Sequence, residues 1–157
     1  MNYLLKPVFK SIFDREFQYE KFEDRLKMQK VIYLLQNMGI SVGDYNFMWY
    51  KHGPYSQDLQ NDILNLKRTE DVKVKFSSDA EKEIKALKEV ILNNGSSYDQ
   101  SQWVECLGSL QYIKENLLPS SVGDKDIIKE LENRKPHLNE ESGNQIALQA
   151  LKGLTIK

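Results

Sequence analysis

The segment from Arg25 to Ile63, RLKMQKVIYLLQNMGISVGDYNFMWYKHGPYSQDLQNDI, constrains the fold more than any other part of the chain. Leu26, Gln29, Val31, Ile32, Leu34, Leu35 and Met38 leave its first part apolar around much of a helical circumference. A helix of that kind is packed from several sides, and Gly39 supplies its C-terminal stop. Tyr45 to Tyr50 then turns aromatic, bounded by Gly43-Asp44 and by Gly53-Pro54, which predicts a strand followed by a sharp turn. On a strand, Tyr45, Phe47 and Trp49 share one face, with Met48 and Tyr50 on the other. Ser56 is placed to cap a third helix, with Asp58 in its first turn and Leu59, Ile63 and Leu66 as its buried stripe.

The remaining elements follow from spacing. Leu4, Leu5, Val8, Phe9, Ile12, Phe13 and Phe17 predict an N-terminal amphipathic helix, joined to the second by the charged stretch Glu20 to Asp24. Val72 to Phe76 alternates strictly and predicts a half-exposed strand, most simply paired with the aromatic one. Helices are expected from Ser78 or Asp79 to before Asn94-Gly95, through Trp103 to Leu117 up to Pro119, from Ser121 to Pro136, and from about Glu140 to Leu151. The fold class is therefore mainly α, with about seven helices and a small two- or three-stranded β element. The order of the second helix, the third helix and the Val72–Phe76 strand is also winged-helix-like. A chain of 157 residues suits a single domain, 1–157, with an N-terminal part to about residue 77 and a helical part from 78.

Net charge is −1, from 22 basic and 23 acidic residues, which gives no cationic surplus for nucleic acid. One cysteine, Cys106, cannot form an internal disulfide, and it reads as a packing residue beside Val104 and Leu107. No apolar run spans a bilayer and the N-terminus lacks a signal-peptide pattern, so a cytoplasmic protein without membrane contact is expected. His52 and His137 have no second ligand at metal spacing, and no phosphate loop or nucleophile motif is present. No catalytic, metal or cofactor-binding residue is expected, and no cofactor; a pocket lined by Tyr33, Trp49 and His52 would be needed for an enzyme.

Arg25, Lys27 and Lys30 form a basic rim on the second helix, and Lys51 and His52 stand by the turn. With the aromatic Tyr50 and Tyr55, they make Lys27, Lys30, Tyr50, Lys51, His52 and Tyr55 the candidate partner-binding residues. Gly53, Pro54 and Ser56 read as the structural turn.

The run Leu26-Lys27-Met28-Gln29-Lys30-Val31-Ile32-Tyr33-Leu34-Leu35-Gln36, then Phe47-Met48-Trp49-Tyr50 and Gly53-Pro54-Tyr55-Ser56, resembles the YwgA-like bacterial and phage-associated proteins. These are similar to the SocA-like, or Panacea, antitoxin domain. The wording "G-x-x-I/L-T-G/N-x-x-x-x-A" of the Panacea pattern is replaced here by Gly39 to Asp44 and the aromatic strand. The resemblance implies a mainly helical scaffold, no catalysis, and binding to another protein such as a toxin or a phage or host factor. The alternative is a winged-helix-like DNA-binding regulator. Against it, the third helix carries Asp58 and Asp62 and no Lys or Arg before Lys67.

Overall fold

Two helices without a solvent face organise the molecule. The computed structural model describes residues 2–68, 70–154 and 156. Its helices are α1 (Leu5–Phe13), α2 (Phe22–Asn37), α3 (Gln57–Asn65), α4 (Ser78–Leu92), α5 (Gln100–Tyr112), α6 (Asp124–Arg134) and α7 (Glu141–Lys152). Every residue of α2 from Leu26 to Leu35 is buried, and every residue of α5 from Trp103 to Gln111. The two pack on each other, with α1, α3 and α4 against α2 and with α4, α6 and α7 against α5. Gly108 lets them come close, since a Cβ there would lie 3.3 Å from Cδ of Lys30. One hydrophobic core, from Leu5 to Leu154, draws side chains from both parts of the chain. No helix among the described residues is long and apolar enough to cross a membrane.

The strands β1 (Met48–Tyr50) and β2 (Gly53–Tyr55) form an antiparallel hairpin in which Met48 faces Tyr55, Trp49 faces Pro54 and Tyr50 faces Gly53. Lys51 and His52 make the turn. The mainly helical architecture with a small sheet is as the periodicity predicts, but the strands are not the expected pair. Val72 to Phe76 is not a strand. Its burial alternates only in part, with Val74 and Phe76 half-buried and Lys73 and Lys75 exposed but Val72 exposed as well, and it pairs with nothing in the sheet. The wing of a winged helix is thus absent from that segment.

The aromatic strand is also shorter than expected, because a side chain substitutes for a partner strand at its start. Gln36 Nε2 donates to the Tyr45 carbonyl at 2.8 Å, and the Tyr45 N–H donates to Gln36 Oε1 at 3.1 Å. Two helical turns earlier Gln29 does the same to Ser56, accepting from its N–H at 2.9 Å and donating to its carbonyl at 3.0 Å. These two amides hold both ends of the hairpin segment to α2. Gln29→Leu is expected to lower stability by about 1–3 kcal/mol, because the buried Ser56 N–H loses its partner, whereas the Ser56 carbonyl keeps the Gln60 N–H at 3.0 Å. Urea denaturation checks it; an unchanged midpoint would contradict this role for Gln29.

The N-terminal helix ends earlier than its apolar spacing suggests. Asp14 takes a left-handed conformation, φ 58°, and stops α1 at Phe13. Phe17 still returns to the core, its ring 5.3 Å from that of Phe9. The charged link is partly helix, since α2 begins at Phe22. There Asp24 is fully buried and receives both Arg15 terminal nitrogens at 2.7 Å and the Gln18 N–H at 2.9 Å. Burial alone would raise this carboxyl, but the Arg15 and Gln18 donors outweigh it and hold it below its usual value.

Candidate partner-binding site

The hairpin is fastened from below by buried charge. Lys30, only 2% exposed, runs its stem past Gly108 and donates from Nζ to the Pro54 carbonyl at 3.0 Å. Lys135, 3% exposed at the end of α6, donates to the carbonyls of Tyr50, at 3.0 Å, and Lys51. Two ammonium groups thus take three carbonyls around one turn. Their counter-charge is Glu105 of α5, 4% exposed, with Oε2 3.9 Å from Lys135 Nζ and 2.9 Å from His137 Nε2. Glu105 Oε1 is 3.7 Å from Nδ1 of His52. Burial, opposed by Glu105, pulls the Lys30 ammonium down to about 7 and also lowers Lys135.

Gly53 sits where the hairpin meets α5. Its φ of +91° suits glycine, and a Cβ there would collide with Oγ of Ser109. Ser56 caps α3, its Oγ accepting from the Leu59 N–H at 3.2 Å. Gly53, Pro54 and Ser56 are all buried.

Lys27 and Lys30 do not form a rim open to a partner. The expected basic face of α2 is interior, because α2 is covered by α5 and the hairpin. Lys27, 7% exposed, donates to Gln100 Oε1 at 2.8 Å and lies over the Phe13 ring. Arg25, half-buried, lies against the Tyr19 and Phe22 rings.

The other candidates do converge. Met48 and Tyr50 are 63% and 54% exposed on the outer face of the hairpin, and Tyr50 stacks on Tyr55 with ring centroids 5.1 Å apart. Lys51 is exposed at the turn, and half-exposed His52 meets the exposed Phe22 ring edge-on at 5.2 Å. The opposite face is packed, as the alternation predicts. Tyr45 is buried, Phe47 lies 5.0 Å from the Tyr33 ring, and Trp49 lies 5.7 Å from Tyr112 and 5.0 Å from Lys135 Nζ. Tyr33 and Trp49 therefore face other rings. The large cavity, about 1080 Å³, lies elsewhere, between α1, residues 70–76 and α4.

The sequence pattern does not single out Glu105, Lys135 or Gln36, and it raises His137 only as a metal ligand without a second ligand. Glu105 had one usable signal, a carboxylate within the otherwise apolar or small run from Trp103 to Leu110. Cys106 is buried as expected, with its thiol pushed up by burial and donating to Asn144 Oδ1 at 3.3 Å.

The fold and site define a helical domain that presents a short hairpin, clasped by two buried lysines and displaying an aromatic outer face. Comparison with family models, curated proteins and solved structures finds no match.

Proposed function

We propose that this chain is a non-enzymatic protein-interaction module that docks a partner protein on the outer face of the β1–β2 hairpin. The observation that carries this reading is the exposure of Met48 and Tyr50, with Tyr55 stacked beside them, on a turn whose backbone is held rigidly from beneath. Large side chains of this kind anchor interfaces when their backbone is preorganised, because little ordering entropy remains to be lost. Lys51 is exposed at the turn beside this face, so the partner surface it fits combines apolar with acidic side chains. The resemblance to YwgA-like and Panacea-type proteins supports an antitoxin-like or phage-associated accessory role. The acidic α3, with Asp58 and Asp62, and the lack of a wing strand at Val72–Phe76 favour a protein partner over DNA.

A photo-crosslinking side chain placed at position 50 tests the reading in the host cell. A discrete protein adduct is expected there and not from position 82, an exposed site on α4. No adduct at 50, or the same adducts from both positions, would overturn it.

A further inference from the structure

The hairpin and its clasp bring four titratable groups around one buried carboxylate, Glu105. From the hairpin comes His52, from α2 Lys30, from α5 Glu105, and from the end of α6 and the turn after it Lys135 and His137. The neighbouring Arg134 points away, to Glu130 at 2.7 Å and to the Trp49 ring. With both imidazoles neutral, the Lys135 ammonium and Lys30, whose ammonium burial brings down to about 7, share one carboxylate. That balance already leans positive.

His52 is the weakly held member. Its Nδ1 is shielded from water and has no hydrogen-bond partner among the described residues, and Glu105 Oε1 at 3.7 Å is beyond hydrogen-bond reach. The other oxygen of Glu105 is engaged by His137 at 2.9 Å and faces Lys135. A proton arriving on His52 therefore enters a site that already holds Lys30 and Lys135, beside a single carboxylate shared with Lys135 and His137. The alternative for an imidazolium is water, which it reaches by moving outward with the turn, since 43% of the side chain is already exposed.

We propose that the hairpin is a pH-sensitive element, in which protonation of His52 loosens residues 50–55 from the Lys30–Glu105–Lys135 clasp and disorders the outer face. This inference rests on the docking reading for its use, but not for its test. The sign follows from the closed geometry. Burial and the two lysines, outweighing Glu105, hold the His52 imidazole below its usual 6.5. The opened hairpin frees His52 of that cost and binds the proton more readily. Opening is therefore favoured as pH falls through the ordinary histidine range, and gains nothing further once the closed form is also protonated.

Native-state amide exchange followed by NMR at pH 7.5 and 5.5 reads this directly once intrinsic exchange rates are divided out. The protection of the Gly53 and Tyr55 amides is expected to fall about threefold or more relative to α5 amides in the wild-type chain, the size of a local opening biased by one charge. In His52→Gln that relative fall should vanish. An unchanged wild-type hairpin, or an equal fall in His52→Gln, overturns the proposal. The titration of the His52 ring is an independent measurement: a midpoint below the usual value is expected, and one at or above it overturns the proposal too. None of these experiments contains a partner, so their failure leaves the crosslinking result standing, and the reverse holds as well.

Discussion

Glu105→Gln is expected to lower stability by about 3–5 kcal/mol, the usual cost of removing one partner from a buried charge cluster. The substitution keeps the volume of the side chain, so packing against α2 and the hairpin is preserved and the loss is electrostatic. Lys135 bears most of it. Its Nζ is held at the Tyr50 and Lys51 carbonyls, and among the described residues no carboxylate besides Glu105 lies within ion-pair distance. Lys30 has an escape, because burial already brings its ammonium down to about 7 and a neutral amine can still donate to Pro54.

That escape gives the variant a pH signature. An ammonium group with a folded value of about 7 and an ordinary value of 10.5 leaves the unfolded chain holding more protons between those limits. Stability contributed through Lys30 therefore rises with pH across that window. In Glu105→Gln the attraction that favours the charged form is gone, so Lys30 is neutral from lower pH. Urea denaturation at pH 7 and thermal melting across pH 6 to 9 check the pair of expectations. A loss below about 1 kcal/mol would mean that the two lysines do not depend on Glu105 for their charge.

These contacts also explain which parts of the molecule the sequence reveals. Amphipathic spacing reports one buried face, and it places α1, α3, α4, α6 and α7 within a few residues. It also separates the packed Tyr45, Phe47 and Trp49 from the exposed Met48 and Tyr50. It cannot rank polar residues on a helix that is buried all round. Lys27, Lys30 and Glu105 look like surface charges because their neighbours i+3 and i+4 do not advertise what packs over them. Only the crossing of α2 and α5 puts them inside. The hairpin register is hidden for a related reason. Gln36 and Gln29 complete backbone hydrogen bonds that a third strand would otherwise supply, and a period-two pattern at Val72–Phe76 carries no information about whether an edge is free to receive it.

Gly53→Ala is expected to destabilise the chain by about 2–4 kcal/mol, combining a left-handed backbone penalty with overpacking against α5. The two contributions can be separated, because they act on different atoms. At φ +91° any L side chain strains the backbone, whatever space surrounds it. The collision, in contrast, is with Oγ of Ser109, whereas Ser109 Cβ at 3.5 Å is in ordinary contact. Ser109 Oγ is buried and has no hydrogen-bond partner among the described residues, so Ser109→Ala alone should be neutral or slightly stabilising. In the double variant Gly53→Ala/Ser109→Ala the steric part is relieved and the dihedral part remains. About half of the single-variant loss is expected to return, giving a coupling of about 1–2 kcal/mol between two residues 56 positions apart. Additive effects in denaturant melts would contradict direct contact between Gly53 and Ser109. Full rescue would show that the turn tolerates a left-handed alanine, and that close packing on α5 alone dictates glycine at the heart of the hairpin.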